Sequence, residues 1–251
     1  MYKEYQTNLI GVDEYHKESN SGLRFWYEYI RQNPDVEGDI FEFGVYKGCS
    51  LIAAALILKE IKSNKKVFGF DSFSGFPSYS KYDDLNSFYT YKGKNFSEDF
   101  INEYEKFLEI KSIQTGENNF DPISIATSGE FNQTSQELIQ KKIDYFELDN
   151  IILIKGDFKE TVPHFFENNN VKISSANIDC DLYDGYKTVL PYVYDHLSVS
   201  GFVHLDEYYS FKYPGAKIAC DEFFAERNIK PFKNNTREGE FERWAITKYN
   251  N

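Results

Sequence analysis

Short apolar runs alternate along the chain with longer segments in which apolar residues recur at helical spacing. The short runs predict strands, because each is closed by a turn residue or an acid. They lie at residues 39–43, 66–70, 151–155, 172–181 and 202–205, with two further strands near 229–233 and 241–248. The helical segments lie at residues 50–62, 134–145, 159–168, 184–197 and 216–227. Strands and helices in alternation predict an α/β domain around a mostly parallel sheet.

The first 38 residues precede this alternation and predict an N-terminal helical segment. Leu23, Trp26, Tyr27 and Ile30 fall at helical spacing within residues 19–33, which indicates an amphipathic helix. We interpret its apolar face as core packing in preference to a dimer surface, although a homo-oligomer such as a dimer is left open. No internal repeat or second domain is visible, so residues 1–251 are expected to form a single domain.

Residues 74–133 interrupt the alternation. They are polar and aromatic, and only one helix, near residues 97–110, is predicted within them. Long insertions in compact domains are usually functional lids or disordered segments. The many Phe and Tyr residues argue against full disorder, so we predict a partly ordered lid over the ligand site.

Charge and cysteine content exclude several classes of partner. The formal net charge is −12 at pH 7 and no dense run of Lys or Arg occurs, so no nucleic-acid partner is expected. The longest apolar run, residues 51–58, is too short to cross a bilayer. The three cysteines contain no C-x-x-C pair, so neither a disulfide framework nor a zinc site is indicated. We expect a cytoplasmic protein with no membrane partner.

Acidic residues follow every predicted parallel strand. They are Glu42, Asp71, Asp157, Asp179 with Asp181, and Asp206 with Glu207. A single acid after a strand is commonly a helix cap or a turn residue. Ligands of open α/β sheets bind outside the carboxyl ends of the strands, so we expect these acids to converge on one ligand-binding rim.

The turn after the first strand, from Glu42 to Ser50, contains Gly44 and Gly48. This spacing differs from the G-x-G-x-x-G dinucleotide fingerprint. A carboxylate at Glu42 would repel a pyrophosphate and attract an ammonium group, which favours S-adenosylmethionine over a nicotinamide cofactor. The remaining alternative is that the glycines only shape the turn. We therefore predict a binding site for S-adenosylmethionine, called the donor below, that includes Gly44, Tyr46, Gly48 and Ser50.

Two further strand ends complete the predicted donor site. Asp71 can accept both ribose hydroxyls, as the equivalent acid does in dinucleotide folds, or it can cap the following turn. Ser72 and Phe73 would then lie beside the adenine. Asp157 can bind the adenine amino group or cap the helix at residues 159–168, and the sequence favours neither role over the other.

The last two acidic strand ends predict a metal site. Clustered carboxylates repel one another unless they are protonated or bound to a cation, and oxygen ligands favour Mg²⁺. Asp179, Asp206 and Glu207 are the expected ligands. The alternative is two separate structural sites, a helix cap and a surface pair. His204 is interpreted as a core histidine.

Five sequence blocks resemble the macrocin O-methyltransferase family of sugar O-methyltransferases. They are EFGVYKGCS (42–50), FGFDSFSGFP (68–77), KGDFKETVP (155–163), IDCDLYDGYKTVLPYVY (178–194) and GFVHLDEY (201–208). The resemblance implies a Rossmann-like class I methyltransferase fold with a C-terminal antiparallel strand, and dependence on S-adenosylmethionine and Mg²⁺.

The resemblance also assigns roles to matching residues. Glu42, Gly44 and Gly48 would surround the methionine moiety, Asp71 the ribose, and Asp179, Asp206 and residue 207 the metal. The family usually has Asp at this last position, where this chain has Glu207. Asp181 matches the second acid of its block.

The reaction expected from these roles is methylation of a sugar hydroxyl. A bound Mg²⁺ would acidify the hydroxyl, and Asp179 or Asp181 would take its proton as general base. The acceptor is predicted to be a sugar, with nucleotide-linked sugars included, made for a surface polysaccharide or, alternatively, for antibiotic tailoring. Lid rings proposed to stack on it are Tyr79, Tyr82, Tyr89, Tyr91 and Phe96. The alternatives are a catechol or phenol methyltransferase, a donor-binding module without turnover, and a nicotinamide oxidoreductase.

Overall fold

The computed structural model describes residues 3–126 and 129–249 and leaves out residues 1, 2, 127, 128, 250 and 251. Seven strands form one sheet in the order β3-β2-β1-β4-β5-β7-β6. The strands are β1 (Asp39–Phe43), β2 (Val67–Asp71), β3 (Ile151–Lys155), β4 (Ile173–Ile178), β5 (Leu197–Leu205), β6 (Phe232–Lys233) and β7 (Trp244–Thr247). β1 to β5 pair in parallel, whereas β7 pairs antiparallel with both β5 and β6. The predicted α/β fold with a C-terminal antiparallel strand is confirmed.

Helices cover both faces of the sheet. They are α1 (Glu4–Ile10), α2 (Arg24–Gln32), α3 (Cys49–Glu60), α4 (Ser87–Thr90), α5 (Glu98–Thr115), α6 (Pro122–Ile125), α7 (Gln136–Tyr145), α8 (Phe158–Asn168), α9 (Tyr183–His196) and α10 (Pro214–Arg227). One core cluster joins the sheet to α2, α3 and α7, and the other joins it to α8, α9 and α10. The parallel strands therefore have apolar side chains on both faces, as sheets covered on both sides require.

The predicted helix at residues 19–33 packs into the core. Its apolar residues Trp26, Tyr27 and Ile30 are buried in α2, and the Trp26 indole donates a hydrogen bond of 3.1 Å to the Ser175 hydroxyl on β4. Core packing, the interpretation preferred from the sequence, is confirmed for these residues.

The inserted segment forms α4, α5 and α6 and two small aromatic cores. The predicted helix near residues 97–110 is present and extends to Thr115. Ser97 caps α5 by accepting a hydrogen bond from the backbone N–H of Phe100. The described part of the insertion is thus an ordered substructure that packs on the rest of the chain.

Five predicted strands, β2, β4, β5, β6 and β7, have different bounds in the structure, and the local backbone accounts for the change in β4 and β5. β4 ends at Ile178, three residues before the predicted end, because the backbone turns sharply after Asp179 and reaches a positive φ of 57° at Asp181. β5 begins at Leu197 and contains an irregularity before Phe202, since its register against β4 shifts between Ile173 and Ser175.

Candidate active site

A cavity of about 240 Å³ opens at the carboxyl ends of β1 to β4. The switch in strand order between β1 and β4 lies at this edge, where ligands of open α/β sheets bind. Its walls come from the turn after β1, the ends of β2 and β3, the segment after β4, and the lid. The lining residues are Gly44, Val45, Tyr46, Lys47, Cys49, Ser50, Asp71, Ser72, Gly75, Phe76, Pro77, Ser78, Phe131, Gly156, Asp157, Phe158, Lys159, Asp179, Cys180, Asp181, Leu182, Asp184 and Gly185.

The turn after β1 is pressed against the end of β4. Gly44 has a φ of 98°, and a Cβ there would lie 1.8 Å from the Asp179 carbonyl oxygen. Only glycine fits a position that combines this backbone geometry with so close an approach. Tyr46 also has a positive φ, of 47°. Gly48 begins α3 as its N-cap in the left-handed region. Gly44 and Gly48 therefore shape the turn, and their predicted role in donor binding stays a prediction.

Asp71 holds this turn in place. Its Oδ2 accepts hydrogen bonds from the backbone N–H groups of Val45 and Tyr46, at 2.7 and 2.8 Å, and its Oδ1 accepts one from Phe73 at 2.6 Å. The side chain also lines the cavity. Asp71 thus performs the turn-capping role considered from the sequence, while the ribose role stays a prediction.

Glu42 lies beneath the turn and does not line the cavity. Its side chain is fully buried, and its Oε1 accepts a hydrogen bond of 2.9 Å from the Asn177 amide on β4. Burial raises the pKa of Glu42 to about 8, although hydrogen bonds from Ser50 and Asn177 lower it in part. In the ligand-free protein this carboxyl is therefore mostly neutral at pH 7, unlike the carboxylate expected from the sequence.

The predicted adenine neighbours differ in their position. Ser72 lines the cavity, and its hydroxyl donates to the Gly75 carbonyl at 2.7 Å. Phe73 packs in the core and does not line the cavity. Asp157 caps α8, one of the two roles considered for it, by accepting from the Lys159 N–H at 2.8 Å, and it also lines the cavity. Its contact with adenine stays a prediction.

Three carboxylates from two strand ends lie together at the edge of the cavity. One oxygen of each of Asp179, Asp181 and Glu207 lies within 4.8 Å of the others. Glu207 Oε2 accepts a hydrogen bond of 2.8 Å from the Tyr186 hydroxyl and one of 3.3 Å from the Asp181 backbone N–H. The residue types, spacing and enclosure suit a hard divalent cation.

Burial and mutual repulsion disfavour the ionised forms of these three carboxyl groups. Burial and the neighbouring carboxylates raise the pKa of Asp179 and of Glu207 well above their usual range. Burial raises the pKa of Asp181 to about 7, against the lowering effect of Lys212. Burial would lower the pKa of Lys212, but the facing carboxylates raise it. Lys212 was not recognised from the sequence, because a single lysine after a strand carries no signal.

Asp206, the third predicted metal ligand, lies beside this cluster, where it contacts Glu207, His204 and Arg243. Its Oδ1 lies 3.5 Å from Nε2 of the fully buried His204 and 3.9 Å from Nη1 of Arg243. Burial would raise the pKa of Asp206, but His204, a hydrogen bond with Glu207 and the charge of Arg243 outweigh it and hold the pKa below its usual range. The structure therefore brings Asp179 and Glu207 together as expected, with Asp181 beside them.

The lid contacts the cavity through residues that the sequence did not indicate. Gly75, Phe76, Pro77, Ser78 and Phe131 line it. The five rings considered for sugar stacking instead pack on other rings: Tyr79 on Phe76, Tyr82 on Tyr183, Tyr89 on Tyr104, Tyr91 on Tyr82, and Phe96 on Phe88. None of the five lines the cavity among the described residues.

Two observations concern the rest of the described chain. Cys49, Cys180 and Cys220 are all unpaired. Within residues 3–126 and 129–249, every helix is too short or too polar to cross a membrane.

Comparison with known proteins identifies the family. The sequence profile of the Macrocin-O-methyltransferase (TylF) family matches residues 21–121 and 121–237. Mycinamicin III 3''-O-methyltransferase of Micromonospora griseorubida is 27% identical over 177 residues, which cover 69% of this chain and 56% of that protein. The chain therefore spans little more than half of that relative's length.

Two solved structures share the fold. The O-methyltransferase NovP superposes with a TM-score of 0.61 at 21% identity, over 89% of this chain and 79% of NovP. The calicheamicin methyltransferase CalS11 superposes with a TM-score of 0.65 at 21% identity, over 98% of this chain and 80% of CalS11. Since the family profile covers most of the chain, including the turn after β1 and all the acidic strand ends, this protein belongs to the macrocin O-methyltransferase family.

Proposed function

We propose that this protein transfers a methyl group from S-adenosylmethionine to a hydroxyl of a sugar. The proposal rests on the observation that a cavity and a carboxylate cluster lie side by side at the carboxyl edge of the sheet. The cavity under the turn after β1 adjoins the carboxylates Asp179, Asp181 and Glu207. Family membership and the relative named as a mycinamicin III 3''-O-methyltransferase support the same reaction.

The donor would occupy the cavity between the turn after β1 and the end of β2. Tyr46 and Ser50 line the wall formed by that turn, and Asp71 and Ser72 line the wall formed by β2. Backbone atoms of the turn can approach the donor closely because Gly44 has no side chain. Glu42 lies beneath the turn, where a bound ammonium would favour its ionised form.

The cluster at the end of β4 and β5 would hold a divalent cation. Asp179, Asp206 and Glu207 are the proposed ligands, of which Asp179 and Glu207 already lie together. When bound, Mg²⁺ would act as a Lewis acid that lowers the pKa of the acceptor hydroxyl and orients it. Lys212 would limit the remaining negative charge of the site, since it faces the same carboxylates.

Asp181 is the better general base of the two candidates. Asp179 is a proposed ligand of the cation, whereas Asp181 is not one and lines the cavity beside it. Asp181 would take the proton of the acceptor hydroxyl, and the hydroxyl oxygen would then attack the methyl carbon of the sulfonium in line. The sulfonium sulfur would leave as a neutral thioether, so no covalent intermediate with the protein forms.

The wider setting is part of the same proposal. The acceptor is a sugar, with nucleotide-linked forms included, made for a surface polysaccharide or for an antibiotic. Residues 1–251 would act as a single methyltransferase domain in which the lid covers the acceptor. The three unpaired cysteines are compatible with a reducing compartment such as the cytoplasm.

Isotopic methyl transfer tests the proposal. Purified protein is treated with chelator and incubated with methyl-labelled S-adenosylmethionine and a panel of nucleotide-linked sugars, glycosides and catechols, with or without Mg²⁺. We expect label on sugars only, and only with Mg²⁺. Label confined to catechols would overturn the sugar acceptor, and donor binding without transfer to any acceptor would identify a binding module.

Two variants separate the metal from the donor. Asp206→Asn should retain donor affinity and lose Mg²⁺-dependent turnover. Asp195→Asn is the matched control, because Asp195 is half exposed and pairs with Arg227 away from the cavity. Full activity of Asp206→Asn in chelator would refute the proposed metal.

A further inference from the structure

Asp181, the proposed base, lies in a strained turn. Its φ of 57° is in the left-handed region, which residues other than glycine seldom adopt. The Leu182 N–H donates to the Cys180 carbonyl at 2.6 Å and closes a tight turn around Asp181. Such a conformation persists only when surrounding contacts hold it, and two such contacts come from outside the turn.

The first contact comes from Glu207, which accepts a hydrogen bond from the Asp181 backbone N–H at 3.3 Å. The second comes from the lid. Asp83 Oδ1 accepts a hydrogen bond of 2.9 Å from the backbone N–H of Tyr183, the first residue of α9. Leu182, the N-cap residue of α9, makes no side-chain cap. Asp83 therefore caps α9 from the lid, where a carboxylate also benefits from the helix dipole.

Asp83 is fixed on the lid side as well. Its Oδ2 accepts hydrogen bonds of 2.8 Å from both the backbone N–H and the hydroxyl of Ser80. The side chain is fully buried. It lies against the start of α10, where a Cβ on Gly215 would come within 2.1 Å of Asp83 Oδ1. The absence of a side chain at Gly215 thus makes room for the carboxylate.

We infer that Asp83 is a positioning residue that couples docking of the lid to the conformation of the turn carrying Asp181. The geometry gives the coupling directly, because Asp83 bonds Ser80 of the lid and Tyr183 two residues after Asp181. When the lid is docked, the cap on α9 is complete and the turn is held. Release of the lid removes one of the outside contacts that stabilise the turn. The effect on turnover rests on the proposed role of Asp181 as base.

Kinetics of Asp83→Ala test the inference, with Asp84→Ala as the matched control. Asp84 is the next residue of the lid and is exposed, and its carboxylate accepts hydrogen bonds from the backbone N–H and the side-chain amide of Asn86. A misplaced catalytic group costs about a hundredfold in rate, so we expect Asp83→Ala to lower kcat by about that factor. The KM for the donor should change by less than about threefold, because donor contacts made at Asp71 are untouched. Asp84→Ala should behave as wild type.

Two further variants distinguish positioning from a general loss of folding. Asp83→Asn keeps one oxygen that can accept from the Tyr183 N–H but places its amide nitrogen against the Ser80 N–H, so its kcat should lie between those of wild type and Asp83→Ala. Gly215→Ala leaves Asp83 in the sequence but places a methyl group in its position, so it should reproduce the kcat loss of Asp83→Ala. Equal losses in Asp83→Asn and Asp83→Ala, or a wild-type kcat in Asp83→Ala, would overturn the inference.

Hydrogen exchange provides a measurement that does not depend on turnover. The Tyr183 amide should exchange at least about tenfold faster in Asp83→Ala than in wild type or Asp84→Ala, because its acceptor is lost. An unchanged exchange rate of the Tyr183 amide in Asp83→Ala would refute the proposed cap of α9 by Asp83. If wild-type protein methylates no acceptor, the proposed function fails, whereas faster exchange at Tyr183 would still establish the contact between lid and turn.

Discussion

Glu42→Gln replaces the buried carboxyl beneath the turn after β1 with a neutral group of the same shape. Asn177 can still donate to the remaining side-chain oxygen. The folded protein raises the pKa of Glu42 from 4.5 to about 8, chiefly by burial. Between these two values Glu42 is protonated in the folded protein and ionised in the unfolded protein. The folded state then binds more protons, so stability falls as pH rises through this window.

The magnitude follows from the size of the pKa difference. Each pKa unit corresponds to about 1.4 kcal/mol. The free energy of unfolding of Glu42→Gln minus that of wild type should therefore rise by about 1.4 kcal/mol for each pH unit between pH 5 and pH 8. This difference in the free energy of unfolding should level off above pH 8 at about 5 kcal/mol. The carboxylate cluster titrates in both proteins and cancels in the difference except at Asp179, whose pKa the charge of Glu42 raises.

Urea unfolding at several pH values from 5 to 9, without donor or divalent cation, measures this difference. Glu28→Gln is the control, because Glu28 is exposed on α2 and its carboxylate accepts only from Gln32. Its difference from wild type should be independent of pH. Parallel stability curves for wild type and Glu42→Gln would refute the raised pKa of Glu42.

The same variant tests how Glu42 responds to the donor. An ammonium bound near Glu42 would favour the ionised carboxylate, so donor binding at pH 7 should release up to about one proton. Titration calorimetry in buffers of different ionisation enthalpy counts this proton. Glu42→Gln should abolish the release. Binding without proton release in wild type would show that the ammonium does not lie near Glu42.

Three further predictions concern Asp71, Glu207 and Trp26. Asp71→Ala removes three hydrogen bonds to the turn and should weaken binding of S-adenosylhomocysteine about tenfold to a hundredfold, measured by calorimetry; unchanged affinity would remove Asp71 from the donor site. Mg²⁺ at a hundred times its Kd should stabilise wild type by about 2.7 kcal/mol. Thermal unfolding should show that Glu207→Gln loses most of this stabilisation by Mg²⁺. Equal stabilisation of both proteins by Mg²⁺ would exclude Glu207 as a ligand. Trp26→Phe leaves the buried Ser175 hydroxyl without its donor and should cost about 1–3 kcal/mol in denaturant unfolding, with turnover unchanged; an intact stability would show that this bond contributes little.

The sheet could be predicted because its strands are short apolar runs between clear boundaries. β1 and β3 have the predicted bounds. The short helices had no such signal. α1 buries only Thr7, so its sequence lacks an apolar stripe, and α4 and α6 have four residues each, too few to show a helical period.

The gathering of the acidic strand ends at one edge of the sheet could be predicted from topology. The direction of each side chain depends in addition on its position along the strand. Side chains alternate between the two faces of a strand. Phe41 and Phe43 pack towards α8 and α9, while Ile40 packs towards α3. Glu42 shares the side of Ile40 and therefore lies under the start of α3 instead of in the cavity. The lid residues that line the cavity could not be predicted, because no periodicity connects them to the sheet.

A 3₁₀ turn at the end of β5 sets the positions of the neighbouring acids Asp206 and Glu207. His204 and Asp206 are two residues apart and share a side, which accounts for their contact at 3.5 Å. Were β5 to continue, Glu207 would be on the opposite face from Asp206 and both could not reach one cation. β5 instead ends at Leu205, and Asp206–Tyr209 form a 3₁₀ turn. Successive residues of such a turn are about 120° apart, which brings Glu207 to Asp179 and Asp181 while its carboxyl group stays in contact with that of Asp206. The longer side chain of Glu207 suits this arrangement, since it lets the carboxylate accept from both Tyr186 and the Asp181 backbone.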